Sequence, residues 1–275
     1  MILRQLRLVA FLLLAVPAGT AAAASEPGAC PVVPRPAIAV PRLAEAAMHG
    51  GAVRIVAFGS SSTAGAGASL PWRAYPSRLE TLLRRGLPNV TVTVMNRGAG
   101  GEDVANMIGR MDADVIAERP DLVIWQAGAN AALRRMDPAR FRAYLFEGLA
   151  RLRREGIHVV LMDNQRAPRI AARPGHEAYD AVVAEAAATL PGVSLFSRGA
   201  LMDALAAAGI PNDALLVSDG LHHNDRGYAC VAEALARGLL TGAQPLRAMA
   251  TPDQAARGPG REFRRPAAPV SLEPR

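Results

Sequence analysis

The feature that most restricts the fold is an alternation of short apolar segments and longer helical patterns between residues 53 and 240. The short segments are β-branched and mostly lack an apolar–polar alternation, which is typical of strands covered on both faces. They are VRIVAF (53–58), VTVTVM (90–95), LVIWQA (122–127), IHVVLM (157–162) and VSLF (193–196). The helical patterns fall at approximately 75–86, 102–118, 138–155, 176–190, 200–208 and 225–240.

Several residues at the ends of these patterns are typical helix boundaries. Pro138 directly after Asp137 favours a helix start, and Gly156 and Gly209 favour helix ends. Strands that alternate with helices through short links predict one parallel sheet flanked by helices, in a single domain. The sequence therefore predicts an α/β fold whose reactive side chains collect at the carboxyl ends of the strands.

Residues 1–24 have the pattern of a signal peptide. Arg4 and Arg7 precede the apolar run LVAFLLLAV, which is too short to span a membrane, and small residues suited to cleavage follow up to Ala24. An anchor that stays attached is the alternative. We expect a periplasmic or secreted protein with no stable membrane insertion after processing.

Two further segments flank the predicted domain. Residues 25–52 are interpreted as an N-terminal arm and linker, and residues 53–240 as the folded domain. Residues 241–275 are rich in Pro, Ala, Gly and Arg without a periodic apolar face, so a disordered tail is predicted there.

The charge distribution argues against nucleic acid as a partner. The formal net charge is +7, but much of it lies at the two ends of the chain. Residues 25–240 hold 23 arginines and 21 acidic residues, a balance typical of a solvated surface rather than a basic binding face.

The chain has only two cysteines, Cys30 and Cys230. In an exported protein an even pair indicates a disulfide, which would join the proline-rich arm at 26–42 to the last helix. Two unpaired buried thiols are the alternative.

Polar and small residues follow the predicted strands or precede the last helix in four places. GSSSTAG (59–65) follows the first strand, NRGAGGE (96–102) the second, GAN (128–130) the third, and DGLH (219–222) precedes the last helix. Because carboxyl ends of parallel strands meet at one edge, we expect the four segments to meet there.

Together these segments contain the groups that acyl transfer to a hydroxyl requires. A serine hydroxyl becomes a nucleophile when a base such as a neutral imidazole takes its proton, and Asp219, three residues before His222, could fix the tautomer of that imidazole. Backbone N–H groups of Ser61 and Gly101 and the amide of Asn130 could stabilise a tetrahedral oxyanion.

The four segments resemble the four sequence blocks of the SGNH hydrolases, also called GDSL esterases and lipases. The resemblance covers roughly residues 53–240, in the expected order. It implies a three-layer α/β/α sandwich of flavodoxin-like type. It also implies hydrolysis of a small-molecule, glycan or lipid ester through an acyl-enzyme, with no cofactor.

The resemblance also implies a role for each matching residue. Ser61 is the nucleophile, His222 the base and Asp219 the residue that orients it. Ser61, Gly101 and Asn130 form the oxyanion hole. No metal site is expected, since the remaining histidines have no ligand spacing with each other or with a cysteine.

Two departures from the family pattern stand beside these matches. The acidic residue usual before the nucleophile is Ser60, and the Asp that often follows the third-block Asn is Ala131. Ser60 or Ser62 as nucleophile, and a surface or capping role for His222 and His223, remain the alternatives.

Other functions compete with ester hydrolysis. The same residues could transfer the acyl group to a glycan hydroxyl, so the sequence leaves hydrolase and O-acyltransferase open. A phosphate- or flavin-binding module with 59–67 as its cradle is a second alternative. A non-catalytic carbohydrate-binding relative is a third. Trp72, Trp125 and Tyr179 are interpreted as core or rim packing, and the sequence makes no prediction of oligomeric state.

Overall fold

The computed structural model describes residues 30–249 and has a central sheet of five parallel strands. Each predicted strand is confirmed, with end-points shifted by at most three residues. The strands are β1 (Gly51–Gly59), β2 (Val90–Gly98), β3 (Leu122–Gln126), β4 (His158–Met162) and β5 (Val193–Phe196).

Helices cover both faces of this sheet, which gives the predicted three-layer α/β/α sandwich. They are α1 (Pro41–His49), α2 (Ser61–Ala64), α3 (Tyr75–Gly86), α4 (Val104–Asp114), α5 (Ala129–Leu133), α6 (Pro138–Arg154), α7 (Pro168–Ala171), α8 (Glu177–Thr189), α9 (Arg198–Ala207) and α10 (Asp225–Met249). Short 3₁₀ turns lie at Pro71–Arg73, Ile116–Glu118 and Asn212–Leu215. All six predicted helices are present, and α1, α2, α5 and α7 are additional helices of four to nine residues.

The strands lie in the order β2-β1-β3-β4-β5, which is the flavodoxin-like order. β2 pairs with one side of β1, and β3, the next strand in the chain, pairs with the other side of β1. The connections leaving β1 and β3 therefore go to opposite faces, and a crevice opens between the carboxyl ends of these two strands. The order of the strands thus places any ligand site at the ends of β1 and β3.

The core includes large side chains of the adjacent strands β1 and β3. Ile55, Phe58 and Trp125 are fully buried, and the rings of Phe58 and Trp125 lie 5.8 Å apart. A Cβ at Gly148 of α6 would lie 2.4 Å from the Trp125 ring, so this glycine lets α6 pack directly on the indole. Burial thus confirms the packing interpretation for Trp125 and Tyr179, but Trp72 is 64% exposed and does not belong to the core.

The boundaries of the predicted domain need two corrections. β1 begins at Gly51 rather than at residue 53, and α10 continues to Met249, beyond the predicted end at 240. A disordered tail starting at 241 is therefore wrong for its first nine residues, because they continue α10, which lies against the arm at Gly242. The predicted signal peptide and the rest of the predicted tail lie outside the described residues.

The N-terminal arm packs along α10. The backbone N–H of Ile38 donates to the carbonyl of Gly238 at 2.9 Å, and a Cβ at Gly242 would lie 2.0 Å from the Ile38 carbonyl oxygen. The predicted disulfide between Cys30 and Cys230 is present and joins the arm to α10. The arm is therefore an integral part of the fold, tied to it both by packing and by a covalent bond.

Replacing both cysteines by alanine is expected to lower the free energy of unfolding by about 2–4 kcal/mol. The disulfide closes a loop with a sequence separation of 200, so its loss increases the freedom of the unfolded chain. Urea denaturation of both proteins measures the difference. Titration of denatured wild-type protein with a thiol reagent, without reductant, should detect no free thiol. Detection of two free thiols would contradict the disulfide.

Candidate active site

The four predicted segments meet at the carboxyl edge of the sheet. Ser61 is the first residue of α2 and follows β1 directly, and Asn130 lies in α5, just after β3. Gly101 lies in the loop between β2 and α4, and the segment 219–222 precedes α10. The structure thus confirms the predicted placement of each segment relative to the strands and to the last helix.

Two glycines make the turn from β1 to α2 possible. A Cβ at Gly59 would lie 2.3 Å from the Thr63 hydroxyl oxygen, and one at Gly98 would lie 2.1 Å from the Ala64 nitrogen. The contacted atoms at Gly98 belong to the backbone and those at Gly59 to the side chains of Thr63 and Gln126, so a larger residue at either position would displace its neighbours. The missing side chains therefore let α2 lie against the end of β2 and present Ser61 at the edge of the sheet.

Ser61, His222 and Asp219 form a continuous chain of hydrogen bonds. The Ser61 hydroxyl lies 2.8 Å from His222 Nε2, and His222 Nδ1 lies 2.6 Å from Asp219 Oδ2. Because a carboxylate only accepts, Nδ1 carries the proton and donates, which leaves Nε2 to accept from the serine hydroxyl. The imidazole is therefore in the tautomer that can take a proton from Ser61.

The Asp219 carboxylate is held by several donors. Its Oδ1 accepts from the backbone N–H groups of Leu221, at 2.8 Å, and His222, at 2.9 Å. Partial burial raises the pKa of Asp219, but these bonds and the bond from the His222 ring outweigh burial, so the pKa lies below its ordinary value. Asp219 is thus ionised at neutral pH and keeps the imidazole oriented.

The loop that carries Asp219 and His222 is braced from a neighbouring connection. Gln165 Nε2 donates to the Leu221 carbonyl at 2.9 Å, and the Arg169 backbone N–H donates to the Gly220 carbonyl at 3.2 Å. Both donors come from the segment after β4. This segment thus fixes the imidazole at a set distance from the sheet.

His223, the neighbouring histidine, has a structural position. It is 1% exposed, and its Nδ1 lies 3.1 Å from the Leu215 carbonyl oxygen, to which it donates. Burial, followed by the positive charge of Arg198, lowers the pKa of His223 to about 3. His223 therefore stays neutral and buried, while His222 faces Ser61.

The other two serines of the first segment also point elsewhere. Ser60 and Ser62 are each 2% exposed, and the Ser60 hydroxyl donates to Gln126 Oε1 at 2.9 Å. Of the three serines, Ser61 is the one whose hydroxyl lies within hydrogen-bond distance of a histidine. This geometry favours Ser61 over the alternative nucleophiles.

Two of the three predicted oxyanion donors, Gly101 and Asn130, lie on the connections that follow β2 and β3. Asn130 Nδ2 donates to the carbonyl of Glu102 at 2.7 Å, which ties α5 to the loop after β2. The carbonyl of Gly101, whose φ is +78°, accepts from Arg134 Nη2 at 2.7 Å. The structure thus brings Asn130 beside Gly101. Within residues 30–249, no hydrogen bond joins either of them to Ser61.

Three residues that hold this site were missed by the sequence analysis. Arg134 anchors Gly101, and Arg110 donates both to the Gly59 carbonyl, at 3.1 Å, and to Glu102, at 2.6 Å. Gln126 accepts from the Ser60 backbone N–H at 3.0 Å. The one signal in the sequence was Gln126, a polar residue at the end of an otherwise apolar strand.

Two kinds of feature are absent from the described part of the chain, a cluster of metal-ligating side chains and a membrane-spanning helix. Residues 30–249 contain no group of three or more His, Cys, Asp or Glu side chains placed to hold a metal ion. In the same range, no helix has both the length and the apolar character needed to cross a bilayer.

The chain is similar to one protein family and to a known esterase. The model of the non-GDSL lipase-like family matches residues 29–245. A relative named arylesterase, from Vibrio mimicus, is 26% identical over 169 residues, which cover 61% of this chain and 79% of the relative.

Solved structures share the fold at lower sequence identity. Axe2, an acetylxylan esterase from Geobacillus stearothermophilus, matches 70% of this chain and 95% of its own, with 20% identity and a TM-score of 0.56. CEX, a two-domain esterase active on acetylated mannans, matches 74% of this chain and 53% of its own, with 23% identity and a TM-score of 0.59. At these identities the likeness shows the fold alone.

Asp219→Asn is expected to slow covalent labelling of Ser61 by a fluorophosphonate by on the order of 10⁴-fold. The amide keeps one oxygen for the backbone N–H groups but presents an NH₂ donor to His222 Nδ1. The imidazole proton would then move to Nε2, which could no longer accept from Ser61. Mass spectrometry of the adduct over time measures the rate.

Asp213→Asn is the matched control, since Asp213 is an exposed aspartate in the neighbouring 3₁₀ turn. It should label at the wild-type rate. Equal labelling rates for the two variants would show that Asp219 does not determine the tautomer of His222.

Proposed function

Since the chain belongs to the non-GDSL lipase-like family, we propose that it is an exported serine esterase that forms an acyl-enzyme on Ser61. The observation that carries this proposal is the hydrogen-bonded chain from Ser61 through His222 to Asp219. The arylesterase relative supports ester hydrolysis independently of that geometry. No cofactor is required for this chemistry.

In the first half of the reaction, Ser61 Oγ attacks the ester carbonyl carbon. The hydroxyl proton passes to His222 Nε2, and the Asp219 carboxylate stabilises the imidazolium that results. The carbonyl oxygen becomes an oxyanion, which accepts hydrogen bonds from the backbone N–H groups of Ser61 and Gly101 and from the Asn130 amide. Removal of one such donor from an enzyme of this type costs about 10²–10³ in kcat.

Each of these donors has a physical reason to be available. Ser61 is the first residue of a helix, so its N–H has no carbonyl partner within that helix. Asn130 Nδ2 carries two hydrogens, one of which is donated to Glu102, and the second is left for the oxyanion. Gly101 has no side chain, and the space its Cβ would take is open, so a substrate can approach its N–H closely.

In the second half, the tetrahedral intermediate collapses and the C–O bond to the alcohol breaks. His222 Nε2 gives its proton to the departing alkoxide, which leaves the acyl group on Ser61 Oγ. Water then attacks the acyl carbon while His222 takes its proton, and collapse returns that proton to Ser61 as the carboxylic acid departs.

The competing functions receive less support. A phosphate or flavin cradle at 59–67 gives no role to the pair of Asp219 and His222. A non-catalytic relative was suggested by Ser60 and Ala131. Both side chains are buried, however, and neither belongs to the hydrogen-bonded chain. Transfer to a glycan hydroxyl would use the same steps with a different acceptor, and no contact in the site favours it over water.

Ser61→Ala is expected to lower kcat for a short-chain nitrophenyl ester by at least about 10³-fold, because within residues 30–249 no other hydroxyl is hydrogen-bonded to His222. Release of nitrophenolate, followed by its absorbance, measures the rate. An acyl adduct on the Ser61 peptide of acid-quenched wild-type protein should be visible by mass spectrometry.

Ser62→Ala is the matched control, since Ser62 is adjacent in sequence but buried away from the imidazole. It should retain most of the wild-type kcat. Undiminished turnover by Ser61→Ala would overturn the proposed nucleophile, and acyl products formed on an added glycan in preference to free acid would favour transfer over hydrolysis.

Export rests on two features of the chain. The first 24 residues have the pattern of a signal peptide, and a disulfide such as that between Cys30 and Cys230 persists in oxidising compartments. Protein recovered from the native host should begin near Ser25, as read by N-terminal sequencing of the extracytoplasmic fraction. Unprocessed protein in the cytoplasmic fraction would contradict export.

A further inference from the structure

Gln126 is a buried amide at the point where β3 enters the active-site edge of the sheet. The other residues of β3, Leu122 to Trp125, are apolar, and Gln126 itself is 1% exposed. Burying a polar side chain is unfavourable unless its hydrogen bonds are made. We therefore expect the Gln126 amide to form hydrogen bonds that offset the cost of burying it in the central strand.

Those partners belong to the turn that carries the proposed nucleophile. Gln126 Oε1 accepts from the Ser60 backbone N–H at 3.0 Å and from the Ser60 hydroxyl at 2.9 Å. It also lies 3.5 Å from the Thr63 hydroxyl. Because a backbone N–H can only donate, the amide atom that faces it must be the oxygen, which fixes the orientation of the side chain.

The contacted residues lie on both sides of Ser61 in the chain. Ser60 immediately precedes it, and Thr63 follows two positions later and lies 3.3 Å from the buried Tyr75 hydroxyl. The Gln126 oxygen on β3 thus contacts the turn on both sides of Ser61, while the Ser61 hydroxyl itself faces His222. Movement of Ser60 would move the Ser60–Ser61 peptide and both reacting groups of Ser61.

We propose that Gln126 is a positioning residue for the nucleophile, an inference that rests on the proposed function of Ser61. By holding Ser60, it aims the Ser61 hydroxyl at His222 Nε2 and the Ser61 N–H at the oxyanion. Ser60 occupies the position at which the related sequence blocks carry an acidic residue. In this chain the Ser60 N–H and hydroxyl donate, and the Gln126 amide oxygen accepts. The pair of Ser60 and Gln126 is therefore neutral.

The neutral charge of this pair has a consequence for the reaction. A carboxylate at position 126 would accept the same hydrogen bonds from Ser60, but it would add a buried negative charge close to the developing oxyanion. Burial would also raise the pKa of such a carboxyl group. An amide keeps the acceptor and avoids the charge at every pH.

Three variants separate positioning from stability. Gln126→Met keeps a similar size and removes the acceptor, and Gln126→Glu keeps the acceptor and makes it titratable. Val193→Ala is the control for stability, because Val193 begins the edge strand β5 at the opposite end of the sheet from the site. The measurements are Tm, and kcat and KM for a nitrophenyl ester between pH 6 and pH 9.

Gln126→Met is expected to lower kcat by about 10²-fold, since small displacements of a reacting group have effects of that size. KM should change little, because Gln126 does not touch the substrate. Val193→Ala should lower Tm without lowering kcat. Gln126→Glu should restore much of kcat at pH 6, and the ratio of its kcat to that of the wild type should fall toward pH 9 as the carboxyl group ionises.

Two results would overturn the positioning role. One is a kcat for Gln126→Met equal to that of Val193→Ala. The other is a kcat for Gln126→Glu at pH 6 that stays about 10²-fold below the wild-type value although the acceptor is kept, which remains decisive if Gln126→Met fails to fold. Acyl-enzyme formation by the wild type is measured separately. Its absence would refute the proposed function of Ser61. If the acyl-enzyme forms and either of the two results is found, only the positioning role of Gln126 is refuted.

Discussion

The hydrogen bond between the Ser61 hydroxyl and His222 Nε2 is the interaction on which the proposed activity depends, and it joins residues 161 positions apart. Neither partner is held by its neighbours in sequence alone. Ser61 is fixed by the end of β1, and His222 by a loop packed against the segment after β4. The sheet order β2-β1-β3-β4-β5 brings the two supports to the same edge, so the fold itself sets the distance between base and hydroxyl.

The position of the Ser61 hydroxyl relative to His222 is set by contacts that hold the backbone on each side of the site. Gly59 and Gly98 allow α2 to sit at contact distance from the strands below it, and larger residues would push it away. Gln126 fastens the turn before Ser61, and Arg134 anchors the loop that carries Gly101. Of the proposed oxyanion donors, Ser61 and Asn130 therefore lie at the starts of short helices, and Gly101 lies in a loop held by Arg134. Donors fixed in advance need little reorganisation during such a reaction.

Much of this arrangement could be predicted from the sequence, because strand and helix periodicities reflect burial, and the four polar segments follow strand ends or precede a helix. The short helices α1, α2, α5 and α7 were missed, since fewer than ten residues give no clear period. The end of α10 was placed too early, because its contact with the arm near Ile38 is a tertiary interaction. Gln126 could not be assigned a role for the same reason: its partner, Ser60, is 66 residues away.

The most direct test of the account is a crystal structure of the protein after reaction with a phosphonate that mimics the tetrahedral intermediate. The account predicts phosphorus bonded to Ser61 Oγ, with the phosphoryl oxygen at about 2.7–3.1 Å from the Gly101 nitrogen and from Asn130 Nδ2. His222 Nε2 should remain within hydrogen-bond distance of Ser61 Oγ. An adduct on a different side chain, or a phosphoryl oxygen turned toward solvent and away from these donors, would contradict it.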